Sequence, residues 1–364
     1  MKYMSKPLII AFYLPQFHPT PNNNIWWGTG FTEWTNVGKA KPLFRGHYQP
    51  RVPADLGYYD LRLPEVRSQQ AELAMYAGVD AFCYYHYWFG EGRRELNLPL
   101  DEMVRLGKPN FPFCLCWANE SWHSKFWNMD GTITKKTLVE QVYPGDEDMV
   151  SHFQCVLPMF KDPRYLCIDN KPIFMIYKPF AHANIAKFIE RWQELAKQNG
   201  LDGIYFIAQI SDTINSMSIA RLQELGFDAI NTVGLWEARK AKMSIFQRAF
   251  NRIFNVPSAM KYKDAYPLFI SNVDSSPNVY PTLIPNWDHT PRSGRAGYVL
   301  MDATPELFRE HVRQVFAIVK KKEENQQVIF LKSWNEWGEG NYMEPDLKYG
   351  RQYIEVLKEE KANY

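Results

Sequence analysis

Eight short apolar runs recur along the chain, and stretches with helical spacing separate most of them. The runs are PLIIAFYLPQ (7–16), VDAFCYYHYWF (79–89), FPFCLCWANE (111–120), PIFMIYKP (172–179), GIYFIAQ (203–209), FDAINTVG (227–234), YPTLIPNWDHTP (280–291) and QVIFLKSWNEW (327–337). Helical patterns lie at 64–78, opened by Pro and closed by Gly, within 93–107, and near 147–160, 184–199, 215–225, 304–321 and 348–361. Strands alternating with helices predict parallel βαβ units. Continuous runs such as VIFL and IFMIY suit a sheet buried on both faces. Eight units predict an α/β fold of the (β/α)8 TIM-barrel type, a single domain over 1–364 with long βα loops. An open doubly wound sheet is the alternative. It would usually carry a glycine-rich phosphate turn after its first strand, and YLPQFHP cannot make that turn. The region from the first strand to about residue 63 reads as one long Trp- and Pro-rich loop, and a basic insertion spans about 236–265.

In such a barrel the active site lies at the C-terminal ends of the strands. Those ends collect polar and aromatic residues, whereas the opposite ends carry plain Pro, Gly, Phe and Val. The candidates for substrate binding are Gln16, His18, Trp27, Glu33, Tyr85, His86, Trp88, Trp117, Asn119, Glu120, Tyr177, Gln209, Trp287, Asp288, Asn335 and Trp337. Taken alone, a buried His86 or Asn at a strand end is often only a satisfied hydrogen-bonding group; the joint pattern is harder to read as structure. The last strand runs into SWNEWGEG, which sets Glu336 and Glu339 three residues apart among tryptophans and glycines. Glycosidic cleavage uses two carboxyl groups, and an apolar shell keeps the acid protonated near neutrality. Glu336 and Glu339 are therefore the catalytic candidates, with Glu339 offered such a shell by Trp337. Glu33 and Glu344 read equally well as groups that tie down loops.

Composition narrows the alternatives. The formal net charge is +2, so nothing in the total favours a nucleic acid or another polyanion as partner. Aromatics make up 15% of the chain, which fits either a large core or a cleft in which rings stack on sugars. Five cysteines, an odd number without framework spacing, point to a reducing compartment, and the N-terminal MKYMSKPLIIAFYLPQFHP reads as a first strand rather than a signal peptide. The expected location is cytoplasmic, with a peripheral contact at the inner membrane as a second reading. No run approaches the roughly 20 apolar residues of a membrane span. No HExxH, paired CxxC, GxSxG or P-loop pattern appears, so neither a metal nor a cofactor is expected. GDED (145–148) is explained by capping and dipole complementation of the helix that follows. Residues 238–263 hold seven Lys or Arg and no acidic residue, with apolar positions at 245–254 spaced for an amphipathic helix. That stretch is either a packed insertion or a contact with membrane or anionic glycolipid.

AFYLPQFHPTPNNNIWWGTGFTEWTNV, PADLGYYDLRLPEVR, FCYYHYWF, FPFCLCWANESW, NWDHTPR and SWNEWGEGNYMEPDLKYG together resemble the WbsX-type proteins of bacterial O-antigen and capsule gene clusters, which are labelled glycosyltransferases. That group is in turn similar to glycoside hydrolase family 99, the endo-α-mannosidases and endo-α-mannanases with (β/α)8 barrels. The resemblance implies that Glu336 takes a proton from the sugar 2-hydroxyl, giving a 1,2-anhydro sugar. It implies that Glu339 acts as general acid and then as general base, with retention. Three functions remain open: an enzyme that cleaves or transglycosylates α-linked glycans, a glycosyltransferase using an activated donor, and a non-catalytic glycan-binding barrel. The second needs a diphosphate site, for which Arg292 and Arg295 are the best cations.

Overall fold

Eight parallel strands close into a barrel in the computed structural model, which describes residues 7–127, 133–242, 253 and 256–364. They are β1 (Leu8–Tyr13), β2 (Ala81–Trp88), β3 (Phe113–Trp117), β4 (Lys171–Ile176), β5 (Tyr205–Ile210), β6 (Ala229–Thr232), β7 (Val279–Leu283) and β8 (Val328–Leu331). Each pairs with its sequence neighbours, and β1 closes the ring by pairing with both β2 and β8. In register, Ile9 sits opposite Ile329 and Phe12 opposite Cys83. These are the eight runs that the periodicity marks, trimmed to their hydrogen-bonded cores.

The strands hold because both faces are covered. Inside, Phe12 stacks on Tyr85 and Phe330 at 5.5 and 5.3 Å between ring centroids. Outside, the helices cover the sheet with apolar stripes. Helix Ile185–Gln198 buries Ile185, Phe188, Ile189, Trp192 and Leu195 at helical spacing. Trp192 is fully buried, 4.7 Å from the Phe174 ring of β4. Burying a side chain of this kind contributes on the order of 1.5–3 kcal/mol. Helix Pro64–Ala77 starts on its proline and stops on Gly78 in the left-handed region, φ 85°.

The connections differ more from expectation than the barrel does. The first long loop contains two short helices, Pro21–Trp27 and Glu33–Gly38, each capped by a threonine, Thr20 and Thr32. A hairpin of Trp122–Trp127 with Ile133–Val139 follows β3. Helix Asp146–Phe160 has Gly145 at its cap with no side-chain cap bond. The acidic GDED run therefore complements the helix dipole, and the capping part of that expectation is corrected. After β6 and β7 the chain builds a small second layer in which strand Ser258–Lys261 pairs with Tyr298–Met301. That layer has its own apolar cluster, including Leu235, Tyr262, Phe269, Trp287, Tyr298 and Leu300. Most of the expected amphipathic helix at 245–254 lies outside the described residues. Among the described residues no helix is long and apolar enough to cross a membrane.

Candidate active site

All eight strands send residues to one cavity of about 260 Å³ at the C-terminal mouth of the barrel. Leu14 and Gln16 come from β1, Tyr85 and Tyr87 from β2, Ala118 and Glu120 from β3, and Tyr177 from β4. Gln209 and Ser211 follow from β5, Val233 and Trp236 from β6, Trp287, His289 and Arg292 from β7, and Lys332, Glu336 and Glu339 from β8. Two shallower cavities adjoin it. One, of about 430 Å³, shares Gln16, Glu120 and Trp122 and adds Trp27 and His123. The other, of about 410 Å³, shares Ser211 and Trp236. The result is an elongated cleft rather than a closed hole.

At its centre one arginine joins three carboxylates. Arg292 Nη1 donates to Glu336 Oε1 at 3.1 Å and to Glu339 Oε1 at 2.6 Å, while its Nε donates to Glu33 Oε1 at 2.9 Å. The two acceptor oxygens of Glu336 and Glu339 therefore lie no more than 5.7 Å apart, the sum of their contacts to the shared nitrogen. His289 Nε2 is 3.4 Å from the same Glu339 oxygen. Glu336 has one oxygen, Oε2, buried without a hydrogen-bond partner among the described residues. These surroundings split the pair. Burial, then the neighbouring Glu339 charge, push Glu336 above the ordinary carboxylate range. Burial acts the same way on Glu339, but Arg292 and His289 outweigh it and hold Glu339 well below that range. Of the two, Glu336 is therefore the carboxyl that holds a proton more readily, and Glu339 the one that stays ionised more readily. The apolar shell expected at Glu339 is overruled by the cations beside it.

The loop after β7 sets Arg292 on the short helix Thr290–Ser293. Asp288 holds that turn: Oδ1 accepts from Thr290 N at 3.0 Å and Thr290 Oγ1 at 2.6 Å, and Oδ2 accepts from Gln49 Nε2 at 2.7 Å. His47 Nε2 lies 2.8 Å from the same Oδ2. Gly338 lies where no side chain fits, because a Cβ there would overlap the Glu33 carboxylate.

Of the expected binding residues, Gln16, Tyr85, Glu120, Tyr177, Gln209 and Trp287 line the central cavity together with Glu336 and Glu339, and Trp27 lines the adjoining one. The structure places the others elsewhere. His86 and Trp88 alternate with Tyr85 and Tyr87 along β2 and so face outward. His86 meets His152 at 2.8 Å between Nε2 atoms, its pKa pushed down to about 3 by burial, and Trp88 donates to Asp148 at 3.1 Å. Trp117 donates to the Trp88 carbonyl, and Asn119 clamps the backbone of Lys178. Asn335 does the same for Leu14, accepting from its N–H and donating to its carbonyl. His18 is buried and does not line the central cavity. Asp288 braces the Arg292 turn, and Glu33 supports Arg292 itself. Trp337 is buried and donates to Glu344. The polar and aromatic cavity residues absent from the sequence-based set are Arg292, Lys332, Trp236 and Ser211, along with Tyr87, Trp122 and His289 from the strand ends. Among the described residues no group of three His, Cys, Asp or Glu is arranged to hold a metal ion.

Glu344 ties loops together, accepting from Trp337 Nε1 at 2.7 Å, Tyr59 Oη at 2.9 Å and Gln70 Nε2 at 2.7 Å. Burial nonetheless raises its pKa to about 7, against the pull of these bonds. A carboxyl raised on folding stabilises below its unfolded pKa, and that stability is lost as pH rises through the folded value. Stability should therefore fall by roughly 3 kcal/mol between about pH 4.5 and about pH 7 on account of this group. Chemical denaturation of wild type and Glu344→Gln across that window checks it. Parallel pH profiles for the two proteins would show that Glu344 does not carry the effect.

Comparisons with known proteins agree with this architecture. A family model described as "Glycosyltransferase WbsX" matches residues 9–357. Two curated relatives, both "Uncharacterized protein WxcX" from strains of Xanthomonas campestris pv. campestris, are 32% identical over 358 residues and 33% identical over 359 residues. Each alignment covers 96% of this chain and 49% of the relative, so the chain spans about half the length of these proteins. Among solved structures, a GH99 endo-alpha-mannosidase from Bacteroides thetaiotaomicron superposes with a TM-score of 0.56 at 16% identity, covering 98% of this chain and 96% of that one. A "Glycoside hydrolase-like protein" gives 0.59 at 15% identity, covering 97% and 93%. At these identities the likeness shows the shared barrel fold.

Proposed function

The chain belongs to the WbsX glycosyltransferase family, and from that premise we propose that it is a carbohydrate-active enzyme that cleaves or transglycosylates an α-linked glycan with retention, through Glu336 and Glu339. The observation that carries this reading is the single Arg292 nitrogen shared by both carboxylates. It keeps their bridged oxygens within 5.7 Å, short of the about 6.5–9.5 Å that leaves room for an inverting water. The surrounding Trp and Tyr rings suit the apolar faces of sugars. A mannose-configured sugar is the first choice because the superposed GH99 protein is an endo-alpha-mannosidase; a shared fold does not by itself fix the sugar.

The unequal surroundings of the two carboxyls bear on the roles. The resemblance to family 99 implies Glu336 as base and Glu339 as acid. Glu336 Oε2 is buried without a partner among the described residues, whereas Glu339 faces Arg292 and His289. These surroundings favour the protonated form at Glu336 and the ionised form at Glu339, so we take the opposite order, with Glu336 as general acid and Glu339 as base or nucleophile. The transferase alternative is weakened by Arg292. Three carboxylates already engage this guanidinium, which the sequence offered for a donor diphosphate.

Incubation with α-linked mannose oligosaccharides and, separately, with nucleotide-sugars plus acceptor tests the reading. The expected result is product from the oligosaccharides alone, its first-formed anomer retained by proton NMR. Product only from the nucleotide-sugars would overturn it, and an inverted anomer would overturn the stereochemistry.

A further inference from the structure

The two ends of the cleft differ in charge. The end beside β1 and β3 carries Trp27, Trp122, Glu120 and His123, with no Lys or Arg in its lining among the described residues. The end beside β4 to β6 is lined by Lys178, Ser211, Asp212, Trp236, Arg239 and Lys240. It opens into the central cavity past Ser211 and Trp236.

Its cations are held in place. Asn119 fixes Lys178 by accepting from its backbone N–H at 2.8 Å and donating to its carbonyl at 2.9 Å. The Lys178 ammonium lies 5.0 Å from the centre of the Tyr177 ring, and among the described residues no carboxylate comes within 4.0 Å of it. Arg239 lies over the Trp236 and Tyr298 rings at 5.5 and 5.1 Å and donates to Ser258 Oγ. Lys240 is engaged by Asp212 at 2.5 Å and Glu237 at 3.2 Å. Ordering long cationic chains beside an indole costs rotamer entropy, which a bound anion offsets through charge-assisted hydrogen bonds.

We infer that this end of the cleft is a subsite for a sugar unit carrying an anionic group, a carboxylate or a phosphate, with the ring packed on Trp236 and the anion taken by Lys178 and Arg239. This deepens the proposed function and rests on it for the cleft being a glycan cleft. A carboxylate would come from a uronic acid in the chain, a phosphate from a phosphorylated sugar.

Binding to wild type, Lys178→Met and Arg239→Met is read by saturation-transfer NMR and tryptophan fluorescence at low salt. The probes are methyl α-glucuronide, methyl α-glucoside and inorganic pyrophosphate. The expected result is at least tenfold tighter binding of one anionic probe than of the glucoside, a preference lost in Lys178→Met and reduced in Arg239→Met. Preference for the glucuronide assigns a uronic acid, and preference for pyrophosphate assigns a phosphate. Equal binding of all three probes, or an anion preference that survives in Lys178→Met, overturns the subsite. Cleavage of neutral and of uronic-acid- or phosphate-bearing oligosaccharides is assayed in parallel. Cleavage without anion preference removes only the subsite, and anion preference without cleavage removes only the glycosidase reading.

Discussion

Glu336→Gln and Glu339→Gln should each lower kcat/KM by roughly 10²–10⁴-fold or more while keeping the folded barrel by circular dichroism, as expected when a general acid or base is replaced by an isosteric amide. The two variants should then part. With an aryl glycoside whose leaving group needs little protonation, Glu336→Gln should recover its first step, because only the acid is bypassed; Glu339→Gln should not. The pH profile gives a second reading. On the proposed order, activity requires Glu336 protonated and Glu339 ionised. The alkaline limb should lie above the ordinary carboxylate range, because burial and the Glu339 charge raise Glu336. The acid limb should lie low, because Arg292 and His289 hold Glu339 down. Recovery in Glu339→Gln in place of Glu336→Gln would restore the order implied by the family 99 resemblance. Near wild-type turnover in either variant would remove the pair from the chemistry.

The barrel was legible because each strand is a continuous apolar run, a pattern that survives without knowledge of any contact. The end of the barrel that holds the main cavity was legible as well, since polar and aromatic residues gather at one end of the strands. What the sequence reading lost was parity. Side chains alternate along a strand, so Tyr85 and Tyr87 reach the cavity while His86 and Trp88 between them pack on helix Asp146–Phe160. Assigning the two sets of β2 from its alternation would have removed two candidates. Asn119 and Asn335 mislead for another reason. An amide that satisfies the last backbone groups of a neighbouring strand end occupies the same place in sequence as one that binds a hydroxyl. Lys332 was hidden inside an apolar run, and Trp236 opens an insertion with no strand of its own to mark it. Arg292 stood out only as a cation for a diphosphate. Its real neighbours, Glu33, Glu336 and Glu339, lie 259, 44 and 47 residues away, and no local pattern records such a contact.

Replacing Arg292 by Met should be the most damaging single change in the cleft. Its guanidinium is the shared partner of three carboxylates whose side chains are 1%, 8% and 13% exposed. Removing the cation strands those charges in a low-dielectric pocket, a loss of about 3–5 kcal/mol for a broken buried ion pair. The loss should depend on pH. Without Arg292, burial raises Glu336 and Glu339 above their unfolded values, so the variant keeps its stability in acid and loses it as pH rises through the raised values. Thermal unfolding from about pH 4 to about pH 8 should show the gap to wild type widening with pH. A constant gap would mean that Arg292 acts by packing alone. Activity should fall in parallel, with the acid limb of kcat/KM moving upward as Glu339 regains its proton. Gly338→Ala offers a check that leaves every charge in place. The added methyl overlaps the Glu33 carboxylate beneath Arg292, so it should displace the arginine and reproduce the loss of activity. Wild-type kinetics in that variant would show that the position of Arg292, as distinct from its charge, is not needed.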